Sequence, residues 1–124
     1  MNMISHPSVL SIDQTSAILK ALASASRRKI LALLREGEQC VCHLEAWTGF
    51  RQAYLSQQLK VLREAGLIED RRVGWNVYYK AVDPKIYEIL DDIKNITGED
   101  SSQIKPPKEG CPCPKCSEKK CCTN

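Results

Sequence analysis

Residues 51–82 change hydrophobic period in a way that few arrangements accommodate. In RQAYLSQQLKVLREAG (51–66), Leu55, Leu59 and Leu62 recur at helical spacing as a narrow apolar stripe. Gly66 suits the left-handed residue that ends a helix. LIEDRRV and NVYYKAV then read as two strands rich in β-branched and aromatic residues, with Gly74 and Trp75 in the loop between them. A short helical stretch at about 40–47 and a break at Thr48-Gly49-Phe50 precede the long helix. Two helices around a tight, glycine-containing turn predict a helix-turn-helix, and the hairpin serves as its wing.

The flanking segments fit one small domain. DQTSAILKALAS (13–24) sets Ile18, Leu19 and Leu22 on one helical face, with Asp13 as N-cap. SRRKILALLREG (26–37) predicts a second helix, capped by Ser26 and stopped by Gly37, with Ile30, Leu31, Leu33 and Leu34 inward. DPKIYEILDDIKNIT (83–97) starts well at Asp83-Pro84 and aligns Ile86, Ile89, Leu90, Ile93 and Ile96. Such a stripe needs a partner, and a chain of 124 residues has little else to cover it. The fold class is therefore mainly α with a small β-hairpin, an α+β winged helix-turn-helix. Residues 1–12 read as a flexible arm, 13–97 as the domain, and 98–124 as a linker and cysteine-rich tail without a core of its own.

No apolar run approaches the ~20 residues of a membrane helix, and MNMISHPSVL lacks the regions of a secretory signal. A cytoplasmic location and no membrane partner are expected. Basic residues concentrate where the helix-turn-helix lies: 51–80 carry six basic and three acidic groups, whereas 81–97 carry two and four. An anionic polymer would be met there. Taking Leu55 as the centre of the buried stripe puts Ala53, Gln57, Lys60 and Glu64 opposite it. Gln52 and Ser56 fall on one flank, Tyr54 and Gln58 on the other. Gln, Ser and Tyr can read base edges or hold phosphates, and Lys60, Arg51 and Arg63 add phosphate contacts. Arg71, Arg72 and Lys80 decorate the wing. No phosphate-binding glycine loop is present, and two histidines offer little for acid–base work, so an enzyme is not expected.

ILKALASASRRKILALL, CVCHL and YLSQQLKVLREAGLIEDRRVGWNVYY together resemble the ArsR/SmtB family of winged helix-turn-helix, metal-responsive repressors. CVCHL resembles that family's metal-binding CVCDL box. The resemblance implies a homodimer with the first and last helices packed across the two-fold axis. Two recognition helices would then enter the major grooves of an inverted-repeat DNA operator ~34 Å apart. Departures are Ser24-Ala25-Ser26 for Asp-Pro-Thr, Gln58 for a histidine, and His43 for an aspartate. The family's other metal site, between the last helices, uses Asp and His. Residues 83–97 hold Asp83, Asp91 and Asp92 but no histidine, so zinc is not expected there.

Seven cysteines are many for a reducing compartment, where clustered thiols bind metal or sense oxidants. Cys40 and Cys42 lie ~200° apart on an ideal helix, since i and i+2 do not share a face. Two-sulfur binding therefore favours an extended or unwound first turn, and that preference makes the pair a switch. The expected inducer is a soft metal or metalloid: arsenite or antimonite, or cadmium, lead or zinc. His43 is an auxiliary ligand or, more in keeping with its position, a solvated or capping residue; His6 is a weaker candidate. Tight soft-metal sites take three or four ligands, and residues 1–39 contain no cysteine. The tail offers Cys111, Cys113, Cys116, Cys121 and Cys122, which complete the Cys40/Cys42 site, form a second site, or scavenge metal. Two alternatives accompany the metal-released repressor: a thiol redox sensor of the same fold, and a thiolate metal-storage or delivery protein.

Overall fold

The computed structural model describes residues 7–99, and their side chains from residue 13 onward. The order of elements is α1 (Pro7–Leu22), α2 (Ala25–Leu34), β1 (Gln39–Cys40), α3 (Val41–Thr48), α4 (Gln52–Glu64), β2 (Ile68–Val73), β3 (Asn76–Ala81) and α5 (Lys85–Thr97). The helices named from periodicity are all present, with shifted ends. Helix α1 starts at Pro7, so Asp13 lies inside it and is not its cap. Proline at a first helical position gives up no hydrogen bond, which lets the helix begin early. Helix α2 is capped by Ser24 rather than Ser26: the Arg27 N–H donates to Ser24 Oγ at 3.4 Å. The Ser26 hydroxyl lies 2.8 Å from that of Tyr54.

The packed interior joins α2, α3, α4 and the hairpin. Ile30, Leu31, Leu44, Leu55, Leu62 and Ile68 are essentially inaccessible to solvent. The Leu55/Leu59/Leu62 stripe of α4 is wholly inward, and each such side chain contributes about 1.5–3 kcal/mol by leaving water. Tyr87 of α5 is buried among them and donates its hydroxyl to the Leu31 carbonyl at 2.6 Å. Burial raises its pKa to about 12.

Helix α4 ends in a two-bond glycine turn. Gly66, at φ 81°, donates to Arg63 O, and Leu67 donates to Leu62 O, both at 3.0 Å. This satisfies carbonyls that a helix end would otherwise leave orphaned. Strand β2 follows at once. It pairs antiparallel with β3 from Ile68↔Ala81 to Val73↔Asn76. Gly74, at φ 62°, supplies the positive value that tight hairpin turns require. A third strand, β1, was not evident in the sequence because two residues carry no alternation to detect. It pairs Gln39↔Tyr79 and Cys40↔Tyr78, giving the sheet order β1-β3-β2.

Arg27 joins three elements. Its guanidinium donates to Ala21 O (2.7 Å) and Lys20 O (3.0 Å) at the end of α1, and to Gln58 Oε1 on α4 (2.9 Å). Gln58 is consequently buried and committed inside the fold, not on the outward flank of α4. Arg27→Ala is expected to cost about 2 kcal/mol, because it strands a buried carboxamide and two helix-end carbonyls. Urea unfolding checks this, with Arg27→Lys recovering only part of the loss for lack of the planar fork.

Helix α5 splits the apolar stripe into two faces. Ile86 and Leu90 are buried, whereas Ile89, Ile93 and Ile96 are 48%, 40% and 83% exposed. Leu19 of α1 is likewise 59% exposed. Among the described residues no helix is long and apolar enough to cross a membrane.

Candidate nucleic-acid interface and thiol pair

The turn between α3 and α4 is built by Thr48 and Gly49. Thr48 Oγ1 donates to Leu44 O (2.7 Å) and accepts from the Phe50 N–H (3.1 Å). Gly49 takes φ 74° and reverses the chain. Helix α4 therefore starts at the surface with a defined heading. Gln52, Ala53, Ser56, Gln57 and Lys60 are exposed along it, and Tyr54 is 41% exposed. Tyr54 is held in place by Ser26 and by the edge of the Phe50 ring, with centroids 5.1 Å apart.

The wing's two arginines stand differently. Arg71 forms a two-bond ion pair with Glu38, at 2.9 and 2.6 Å, and lies over the Tyr78 ring. The guanidinium beside Glu38 holds that carboxyl below its usual range. Arg71 thus ties the wing to the loop before β1, a role that the sequence pattern did not reveal. Arg72, one residue on and facing the other way, is exposed. Lys80 pairs with Glu69 at 3.3 Å. Trp75, at the tip, is 94% exposed.

Between α4 and the wing runs a hollow of about 550 Å³. Gln52, Ser56 and Arg63 of α4 line it together with Glu45 of α3 and with Asp70, Arg72 and Trp75 of the hairpin, so it carries both cationic and anionic groups. Cys40 and Cys42 both border it. Cys40 is the last residue of β1 and the N-cap of α3, in extended conformation (φ −81°, ψ 161°), with Sγ accepting from the His43 N–H at 3.4 Å. Only Cys42 is helical. The pair therefore straddles a strand-to-helix junction, and the ~200° helical separation does not apply to it. Cys40 is buried and Cys42 half-buried. Two thiols bordering one hollow suit a soft ion as a two-sulfur half-site. Among the described residues, no group of three or more His, Cys, Asp and Glu is placed to hold a metal.

His43 is neither solvated nor a cap. It is buried, stacked on Trp47 with centroids 5.4 Å apart, and its Nδ1 has no hydrogen-bond partner. Burial lowers its pKa. One helical step past Cys42 turns it toward the interior, and it does not border the hollow. His6 and the tail cysteines Cys111, Cys113, Cys116, Cys121 and Cys122 lie outside the described residues.

Residues 24–70, from the cap of α2 into β2, match the model of the arsR family of bacterial regulatory proteins. Over 91 residues, 71% of this chain and 69% of its relative, the sequence is 36% identical to a transcriptional repressor SmtB homolog of Synechocystis sp.. The chain belongs to the arsR family. An arsenic resistance transcriptional regulator ArsR1 of Pseudomonas putida is also 36% identical, over 72% of this chain and 70% of that one. The fold agrees with a solved structure. A homodimeric winged helix-turn-helix DNA-binding domain from Mycobacterium bovis, described as a possible ArsR-family transcriptional regulator, superposes with a TM-score of 0.68 at 30% identity. It covers 80% of this chain and 92% of that one. Within the arsR family match fall the thiol pair, the whole helix-turn-helix and Arg27; Arg71 and Arg72 follow just beyond it.

Proposed function

We propose that the protein is a cytoplasmic transcriptional repressor that binds an inverted-repeat operator as a homodimer and lets go when a soft metal or metalloid binds Cys40 and Cys42. The observation that carries this reading is the position of the thiol pair, at the junction that starts the first helix of the helix-turn-helix. A ligand gathered there acts on the support of α4. Gln52, Ala53, Tyr54, Ser56, Gln57 and Lys60 on α4, with Arg72 on the wing, form the duplex-facing set, while Arg71 on the opposite face braces the wing against Glu38. The exposed faces of α1 and α5 form the dimer contact. The relatives named as a repressor and as an arsenic resistance regulator support the reading.

The test is a release titration of the operator complex under reductant with arsenite, antimonite, cadmium, lead and zinc. Release by at least one ion at stoichiometric concentrations is expected. Release only by peroxide would replace the metal reading with the redox one. Metal uptake without sequence-specific DNA binding would leave a storage protein.

Two further outcomes follow from the duplex-facing set. Gln57→Ala is expected to weaken the operator by about 1–3 kcal/mol while sparing random DNA, as loss of a base-edge contact does. Arg72→Ala should weaken both and lower the slope of log K against log salt by about 1, as loss of a phosphate contact does. Anisotropy titrations over a salt series separate them, and equal losses on both DNAs for Gln57→Ala would remove it from base reading.

The tail supplies the missing thiolates in this reading, either from the same protomer or across the dimer. Closing the loop of about 70 residues from Cys42 to Cys111 carries a penalty that grows only logarithmically. Truncation after Gly110 should therefore preserve folding and operator binding, yet lower inducer sensitivity and the sulfur count at the bound metal by X-ray absorption. Unchanged release would make the tail a scavenger or a separate site.

A further inference from the structure

The tip of the hairpin presents a large aromatic ring to solvent. Trp75 is 94% exposed, and Val73 beside it is 46% exposed. Nothing in the fold draws either side chain back. Strands β2 and β3 stay paired out to Val73↔Asn76, and only Gly74 and Trp75 form the turn. Behind them Arg71 is braced by Glu38 and lies over the Tyr78 ring. Charge at this end of the hairpin has one sign. Residues 71–82 hold Arg71, Arg72 and Lys80 and no acidic residue. Asp70 sits three register positions short of the hairpin end, about 10 Å away, and is engaged by Arg63 at 3.5 Å.

We propose that Trp75 is a minor-groove reader, whose indole enters the groove beside the α4 contact and makes the protein select A·T pairs in the flank of its operator. The proposal rests on the reading of the chain as a DNA-binding regulator and is independent of the thiol pair. Placement, size and chemistry point the same way. Trp75 and Arg72 share a hollow with Gln52 and Ser56 of α4, so the tip lies on the duplex-facing side. With α4 in a major groove, the next groove along the duplex is a minor one, and Arg72 meets the phosphates of its wall. A stable protein partner needs about 800 Å² on each side, far more than Trp75 and Val73 offer. A minor groove ~6 Å wide instead admits one flat ring edge-on and covers its faces with sugar. Indole has a single donor, Nε1–H, and no acceptor. An A·T pair shows only acceptors in that groove, whereas a G·C pair adds the guanine amino group, a donor that the ring cannot satisfy.

Duplexes are recovered from a random library by in vitro selection, with the full-length reduced protein and with Trp75→Ala. Shortening a side chain this exposed should leave the fold unchanged. Both proteins should return the same inner half-sites, read by α4, and only the wild type should return A·T pairs in the flank. Flanks that are the same for both proteins overturn the proposal. A wild-type protein that returns no sequence at all overturns the regulator reading and this proposal with it.

A second measurement changes the minor groove alone and needs only the wild-type protein. Adenine in the flanking pairs is replaced by diaminopurine, which keeps the major-groove edge and adds the minor-groove amino group of guanine. Affinity, read by anisotropy of the labelled duplex, should fall about ten-fold, the scale of one mismatched pair. The converse duplex carries inosine·cytosine in the flank, which has the major-groove edge of G·C without that amino group. It should bind about as well as the A·T flank. Affinity unchanged by diaminopurine overturns the proposal while leaving operator recognition by α4 intact.

Discussion

Serine at either Cys40 or Cys42 is expected to leave the operator complex intact and abolish its release by the inducer. The fold should tolerate both changes. Cys40 caps α3 through its sulfur, and serine is among the preferred N-cap residues, so the replacement keeps or strengthens the cap. Cys42 is half-buried at the border of the hollow, where one atom exchanged for a smaller one disturbs little packing. The metal chemistry should not tolerate them. A hydroxyl is a poor ligand for a soft ion, and changes in groups that merely orient ligands already cost 10–100-fold, so losing a ligand should cost on the order of a hundred-fold or more. Anisotropy of the labelled operator across an inducer titration reads the result. Wild-type release by either variant would end the proposed switch.

Ile93→Glu on α5 is expected to give a monomer whose operator affinity falls on the order of a thousand-fold. Ile89 and Ile93 are half exposed on the outer face of α5, with Leu19 of α1 also exposed. Two such faces meeting across a two-fold axis would bury them, and a carboxylate there would lose its water without gaining a partner. The effect on DNA follows from linkage. Two joined half-site readers gain 10²–10⁴ in affinity over one, so separating them forfeits that factor. Sedimentation gives the mass and anisotropy the affinity, with Ile93→Leu as the control that retains both. A variant that remains dimeric would place the contact elsewhere on the molecule.

How much of this was legible in the sequence depended on how local each determinant is. The five helices and the hairpin were, because Leu55/Leu59/Leu62 and Ile86/Leu90 repeat within a few residues and Gly49, Gly66 and Gly98 mark the ends. Angular reading of α4 placed Gln52, Ser56, Gln57 and Lys60 outward, where they lie. It misplaced Gln58, since the arginine that draws it inward is 31 residues away. The same distance problem hid the pairing of Arg71 with Glu38 across 33 residues. His43 was misread because its surroundings are set by the packing of α3 and not by its neighbours in sequence. Strand β1 was invisible for a related reason: its partner is in β3, and two residues have no period. Yet that strand resolves the spacing of the thiols, because it keeps Cys40 extended.

The glycine turn after α4 has a consequence for the DNA itself. Only Ala65, Gly66 and Leu67 separate the last helical residue from β2, and Gly66 and Leu67 are bonded back to the turn they leave. A joint this short has no slack, so helix and hairpin act as a caliper of fixed opening. Whatever duplex they grip must bring its groove widths to that opening, and some sequences adopt such a shape at far less elastic cost than others. Base pairs that no side chain touches, between the points of the caliper, are therefore expected to help decide which sites are held. Lengthening the joint by a glycine should loosen the choice among those untouched positions before it weakens the grip.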